Sequence, residues 1–477
     1  MSEHLVPLGG TGWSVWRDVL LRGTGFPIDG LARFAAPDCA SAADGFLAGE
    51  IDEQLFDKEF ERTVAASATT CRELAADPLF REAITWQSAT ALSALDGLLR
   101  SGDRRNSKRL QRERMIVRYW QRYCAKNETI GFFGPSVWAT VDPDAAGIAA
   151  RPGPDLVRGR AVDFEYWALA VLARQLADDP QVRRWLPPAP QPHLTLAGRE
   201  VLQPAQRPLP VSPAEATALS HCDGRVPAVT VIAALVADGV VRTEDDGHLL
   251  LERLAERGLL RWHADLPQGP EAERALRALL AGIGDPAIRQ RAGAGLDRLA
   301  AARDEVTAAA GDPDRLAVAL SGLAGEFTAI TGAQPYRRAG QAYAGRGLCV
   351  EDTVRDVDVV IGGRLLDEIA EPMALVLTAA RWLTAELARA YGTALRELYE
   401  DLAAGGDQVL LADLWYLAQG PLFGTGERPV DAVAAEFSRR WATVFGLADG
   451  TSAELAAAAF PAERPGCRPA GCTARTC

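Results

Sequence analysis

Residues 121–135 read QRYCAKNETIGFFGP. A segment in which basic residues recur at every fourth position ends here in two glycines, two phenylalanines and a proline. Arg114, Arg118, Arg122 and Lys126 are four apart, so on a helix they form one stripe. Like charges at that spacing cost a helix about 0.2–0.5 kcal/mol per pair. Such a stripe is relieved either by carboxylates elsewhere in the fold or by an external polyanion, and spacing alone leaves both open. Arg104, Arg105, Lys108, Arg109 and Arg112 add to the excess, opposed locally by Asp103 and Glu113. The glycine–aromatic segment lets backbone approach closely, and Phe132 and Phe133 are expected as core residues of that turn. After Pro135, SVWATVD alternates and reads as a strand. Helix, tight turn and strand in this order point to an α+β protein.

Working outward, Asp52 to Arg122 has apolar residues at spacings of three and four, with Pro78 as its one proline, and reads as helical. GWSVWRDVLLRGTGFP contains a short helix candidate closed by Gly23 and Pro27. DFEYWALAVLARQLADD is a further helix, and HLTL with REVLQ forms a hairpin around Ala197-Gly198. Residues 270–335 are helical, and GLCVEDTVRDVDVVIGG is extended. A long amphipathic helix follows, with Pro372 near its start and Gly405-Gly406 at its end.

Residues 211–265 carry a pattern of their own. Ser212, Pro213 and Glu215 make a capping box with proline at the first helical position. Asp223-Gly224 and Asp245-Asp246-Gly247 read as turns, VPAVTVIAAL as a second helix, and HLLLERLAERGLLRW as a third helix, closed by Gly258, and a strand. Three short helices with a strand pair match a winged-helix module inserted in a large helix-and-sheet scaffold. Peptide recognition by strand addition, a structural spacer and duplex DNA binding are its three readings. The acidic residues Glu244, Asp245, Asp246, Glu252 and Glu256 weigh against DNA.

A hydrophobic fraction of 48% and a charged fraction of 24% fit a globular chain with a sizeable core, and the length of 477 residues implies several domains. A net charge of −12 argues against a general nucleic-acid coat but permits one local basic patch. No apolar run reaches about 18 residues, no signal segment opens the chain, and the scattered Cys39, Cys71, Cys124, Cys222 and Cys349 read as reduced thiols. The expected compartment is cytoplasmic.

The segment VEDTVRDVD concentrates charge. On a strand Glu351 and Asp352 face opposite ways, and Arg355 is expected to pair with Asp352 or Asp356 as a structural ion pair. The five histidines share no ligand spacing, so no metal is expected. No phosphate-binding loop or nucleophile elbow is present, so ATP chemistry is not supported.

In the order of its weak motifs the chain resembles the lantibiotic dehydratase family, in its N-terminal, tRNA-dependent glutamylation region. Arg122 and Lys126 stand at the two basic positions of the family's R-x-x-x-R-x-T-P-F-G-x-F pattern, Gly131 at its glycine and Phe133 at its later aromatic. Lysine replaces the second arginine and cannot fork around a carboxylate or phosphate as arginine does. GWSVWRDVLLRGTGFPIDGLARF resembles the family's opening segment. YAGRGLCVEDTVRD resembles its passage around Tyr343, Arg346, Glu351, Asp352, Arg355 and Asp356.

The resemblance implies transfer of glutamate from glutamyl-tRNA to serine or threonine hydroxyls of a precursor peptide, with no cofactor beyond that co-substrate. Arg114, Arg118, Arg122 and Lys126 would meet tRNA phosphate or glutamate, and Arg346 and Arg355 would take a secondary anion role; no general base can be named. The implied division is 1–190 and 266–460 for the dehydratase-like scaffold, 191–265 for a leader-peptide-recognition module, and 461–477 for a cysteine-containing tail. Family members are much longer, so the chain is expected to be part of the full enzyme, with a separate elimination-domain protein as partner. A smaller relative that appends an amino acid from tRNA to a peptide C-terminus and a non-catalytic peptide-binding partner are the alternatives. In the tail, Cys467, Cys472 and Cys477 lie five apart. A disordered end, a peptide-like appendage and an out-of-frame read-through compete there, and the abrupt change after about Pro465 favours the last.

Overall fold

A computed structural model describes residues 3–102, 106–126, 135–203, 206–337, 347–406 and 408–447. The chain opens with β1 (Leu5–Pro7), β2 (Ser14–Trp16) and β3 (Asp18–Arg22). A short 3-10 helix leads to α1 (Pro37–Leu47), α2 (Glu53–Ala76), α3 (Pro78–Gln87), α4 (Ala89–Leu99) and α5 (Ser107–Ala125). Next come β4 (Ser136–Asp142), β5 (Ile148–Phe164), α6 (Tyr166–Asp178) and α7 (Pro180–Arg183). Then β6 (Ala189–Pro190), β7 (Thr195–Ala197), β8 (Glu200–Leu202) and β9 (Leu209–Pro210) precede α8 (Pro213–His221), α9 (Ala228–Ala237), α10 (Glu244–Glu256) and β10 (Leu260–Arg261). Last are α11 (Glu271–Ala281), α12 (Pro286–Ala309), α13 (Pro313–Thr331), β11 (Cys349–Gly362), α14 (Gly363–Ala403), α15 (Leu411–Phe423) and α16 (Pro429–Val444). The fold is α+β, as expected.

The sheet that positions the site has the order β3-β4-β11-β5. Its centre is the parallel pair β4–β11, flanked by antiparallel β3 and β5. Here the sequence reading needs its first correction: DVLLR is not helical. Its burial alternates with period two, and Asp18 to Arg22 pair with Thr140 to Ser136. Edge pairing outweighs the weak helical pattern of so short a run. The 17-residue β5 escaped the sequence reading because Pro152 and Pro154 interrupt it. They are tolerated because β5 is an edge strand, whose outer N–H groups have no ladder partner to lose.

Helix starts follow capping chemistry. Asp52 accepts from Leu55 N at 2.9 Å, and Asp77 accepts from Phe80 N at 2.8 Å with Pro78 behind it. Ser212 and Glu215 form the expected capping box of α8. The acidic run at 244–246 is not a turn. Thr243 caps α10, and Glu244, Asp245 and Asp246 fill its first turn, where carboxylates favour the helix dipole. The long helix α14 also begins earlier than its sequence suggests, leaving Pro372 inside it. Gly362 and Gly363 set that start. A Cβ on either would lie 2.2–2.6 Å from backbone atoms of the β4–β5 connection, so only glycine permits this approach.

Separate clusters form the interior. One joins α2 to α5 through Phe26, Phe80, Trp120 and Tyr123, whose ring centroids lie 5.0–6.3 Å apart. A second, around Trp167, Leu296 and Phe327, ties β5 and α6 to α11, α12 and α13. A third, from Leu186 to Trp262, serves the small strands and α8, α9 and α10.

Candidate functional site

The buried side of α5 is Arg109, Glu113, Ile116, Trp120, Tyr123 and Cys124. Arg109 pairs with Glu113 at 2.9 Å, and Arg112 donates to the Gly97 carbonyl at 2.6 Å, so these two arginines are spent on structure. Arg114 and Arg118 point outward, and among the described residues neither has a carboxylate partner. Arg122 is half-buried on the same face. Lys126 does not extend the helical stripe: it is the C-cap, in extended conformation, and exposed. The helix ends there because its carbonyl ladder closes on the Lys126 N–H to Arg122 O bond.

Residues 23–26 cross the end of this helix and tie it to the sheet. Phe26 N donates to Tyr123 O at 3.3 Å, and Gly23 N to Pro135 O at 3.2 Å. Arg355 Nη2 donates to Thr24 O at 3.0 Å, and Thr24 Oγ1 to Phe26 O at 2.7 Å. The expected ion pair of Arg355 with Asp352 or Asp356 is therefore corrected. Asp356 binds Arg158 at 3.1 Å, while Arg355 is held by a neutral carbonyl. Burial pulls the Arg355 guanidinium down from its ordinary value. Register completes the cluster: Arg22 faces Ser136, which faces Val354. The end of α5, Arg22 and Arg355 thus meet at one end of the sheet.

Glu351 and Asp352 do face opposite ways. Asp352 lies on the open face. Its carboxyl is raised above the ordinary range by partial burial first and by Asp163, against the opposing pull of Arg22. Glu351 is wholly buried. Arg160 Nη1 bridges it at 2.5 Å and Glu82 at 2.9 Å, while Glu82 also accepts from Gly311 N at 2.8 Å. Glu351 Oε2 has no hydrogen-bond partner among the described residues. Burial first, then Glu82, pushes Glu351 up to about 7 despite Arg160.

The site therefore offers the Arg22 guanidinium beside the carboxylates of Asp352 and Asp163, a set suited to a ligand with both a carboxylate and an ammonium. Arg22, Thr24 and Asp163 went unnoticed in the sequence because they matter only through register and chain crossing. The outward parity of DVLLR would have identified Arg22. Arg346, Tyr343, Phe132, Phe133 and the 461–477 tail lie outside the described residues. Among the described residues no group of three or more His, Cys, Asp or Glu could hold a metal ion. No helix there is long and apolar enough to cross a membrane.

Comparison with known proteins bears on this geometry. The family model "Lantibiotic dehydratase, N terminus" matches residues 76–409. The fold is similar to that of the tRNA-dependent lantibiotic dehydratase MibB from Microbispora sp. 107891, with a TM-score of 0.51 and 16% identity, over 64% of this chain and 29% of that one. It is also similar to the glutamylation domain TbtB from thiomuracin biosynthesis, with a TM-score of 0.56 and 16% identity, over 90% of this chain and 63% of that one. The same figures hold for TbtB bound to 5'-phosphodesmethylglutamycin. The chain thus spans under two thirds of the length of either protein. Comparison with curated protein sequences gives no match.

Proposed function

The chain belongs to the lantibiotic dehydratase N-terminal family, and from that premise we propose that it takes part in glutamyl-tRNA-dependent glutamylation of serine or threonine in a ribosomally made precursor peptide. The observation that carries this reading is the meeting of α5, which exposes Arg114 and Arg118, with Arg22, Arg355 and Asp352 at one end of the sheet. Arg114, Arg118, Arg122 and Lys126 take tRNA phosphates near the acceptor end. Arg22 and Arg355 face the glutamyl carboxylate, Asp352 its α-ammonium, and Arg346 supports the anion. The peptide hydroxyl oxygen attacks the ester carbonyl, the bond to the terminal ribose oxygen breaks, and the hydroxyl proton ends on that ribose oxygen. Positioning of two polymers and stabilisation of the developing oxyanion supply the rate.

In this reading the unit at 191–265 is a winged-helix module that takes the precursor's leader as an added strand. Elimination of the glutamate falls to an elimination-domain protein, and the reaction runs in the cytoplasm with charged tRNA as its one co-substrate and no other cofactor.

The test is binding of glutamyl-tRNA as a function of salt. Affinity should fall linearly on a log–log scale, and Arg118→Ala with Arg122→Ala should weaken binding and flatten the slope by about one per lost phosphate contact. Binding untouched by both changes refutes the stripe assignment. Precursor affinity without any tRNA affinity favours a non-catalytic peptide-binding protein. Amide-linked product at the peptide C-terminus, rather than glutamyl ester on a hydroxyl, favours the aminoacyl-appending alternative.

A further inference from the structure

Helix α1 and the first half of α2 form a hairpin that stands outside the core. Among the described residues from 37 to 67 none is buried. The buried residues of α2 are Ala68, Cys71, Leu74 and Ala75, all in its second half. Residues 53–67, about 22 Å of helix, therefore pack on little besides α1. Helices in proteins owe most of their stability to an apolar face packed on a neighbour. Here that face carries rings that lie open. Phe46 of α1 stacks on Phe56 at 5.5 Å, and Phe56 meets Phe60, one turn on, at 6.0 Å. Phe60 is 50% exposed, Leu55 53% and Leu47 82%. Thr63 and Ser67 continue the row at helical spacing and line a cleft of about 210 Å³ between α2 and residues 33–38.

The charges left beside this row are acidic. Arg62 is held by Asp38 at 2.8 Å and Glu59 at 2.7 Å, and Arg33 by Glu73 at 2.8 Å. Asp52 is spent on the cap of α2. Asp44, Glu50, Glu53, Asp57 and Glu61 remain, with Lys58 as the one further cation between residues 37 and 67. Glu53 stands three residues before Phe56 and Asp57 three before Phe60, so each lies beside a ring. Glu61 extends this acidic row by one turn, and Lys58, two residues from both rings, faces away from them. Like charges four apart destabilise the helix that bears them, and a cation set beside them removes that cost.

An apolar ladder bordered by carboxylates fits a basic amphipathic helix. Its apolar side lies on the rings, and its lysines or arginines meet the row of Glu53, Asp57 and Glu61. The same row repels nucleic acid and an anionic lipid surface. The hairpin also lies ahead of residues 76–409, which the family model matches. We propose that it is the docking surface for a basic amphipathic helix of a partner protein. Docking there is independent of the tRNA reading above.

The experiment uses the full chain and two labelled synthetic helices of about 18 residues. Both carry leucine on one face; one carries lysine on the other, its twin glutamate. The lysine helix should bind, its glutamate twin should not, and added salt should weaken the binding. Phe46→Ser with Phe60→Ser should weaken it about 10-fold or more. Asp57→Lys with Glu61→Lys keeps the rings and should reverse the preference to the glutamate helix. Equal binding of the two helices, binding of neither, or binding of the lysine helix that neither double variant changes overturns the proposal. So does self-association of the wild type that Phe46→Ser with Phe60→Ser abolishes, because a second copy of the chain then covers the rings.

Discussion

Replacing Glu351 by glutamine should make the protein more stable at pH 8 while leaving it nearly unchanged at pH 5. Glu351 shares the single Nη1 of Arg160 with Glu82, is fully buried, and has no partner for Oε2 among the described residues. Its carboxyl rises from an ordinary 4.5 to about 7, chiefly through burial. The folded state therefore binds the proton more tightly than the unfolded state does. The resulting stability is fully present below pH 4.5 and is lost progressively as pH rises through about 7. The displacement corresponds to about 3 kcal/mol. Glutamine mimics the neutral acid: it keeps an acceptor for Arg160 and removes the titration, while Glu82 still pairs Arg160. Urea unfolding between pH 4.5 and 8.5 should show wild-type stability falling by about 3 kcal/mol relative to Glu351→Gln across that interval. Parallel curves for the two proteins would refute the assignment. So would a variant less stable at pH 8, since Glu351 would then be acting as the charged partner of a balanced pair.

Gly363→Ala places a Cβ 2.2 Å from the Pro143 carbonyl oxygen and should destabilise the start of α14 by more than about 3 kcal/mol, read by thermal unfolding. Thr243→Ala removes the cap of α10 and should cost about 1 kcal/mol, with earlier amide exchange confined to residues 244–247. Arg355→Ala frees the Thr24 carbonyl and should raise amide exchange at 23–26; unchanged exchange there would mean that this loop is held without it. Burial pushes the thiols of Cys222 and Cys349 up to about 12 and that of Cys124 to about 11, so at pH 8 these three should resist alkylation until the protein unfolds, as mass mapping would reveal.

Local chemistry was legible wherever one residue decides an element. The capping box at Ser212, the strand SVWATVD and the hairpin around Gly198 all follow from their own side chains. Reading failed where a distant partner decides. DVLLR is a strand because β4 offers an edge, and the proline-bearing β5 is one because it closes the far side of β11. Pro372 sits inside α14 because the glycines before it are fixed against another chain segment. The same division runs through the site. Arg114 and Arg118 were visible from a four-residue period, but Arg22 and Asp163 enter only through register, and the partner of Arg355 only through the crossing of residues 23–26.

Why an acidic chain should expose Arg114 and Arg118 on one helix face follows from the distribution of charge. The chain as a whole carries −12. Many described arginines are held by carboxylates, including Arg62, Arg158, Arg277 and Arg303. On α5 the pairing is spent selectively: Arg109 is neutralised inside, while Arg114 and Arg118 lie outside without a carboxylate partner among the described residues. A protein that coated nucleic acid would spread such cations over its surface. Concentrating them on one face of one helix, against a repelling background, lets a polyanion dock at one place and in few orientations. The end of that helix is the one joined to Arg22, Arg355 and Asp352. In the proposed reading, the field that attracts tRNA therefore also aims its acceptor end at the groups suited to its amino acid.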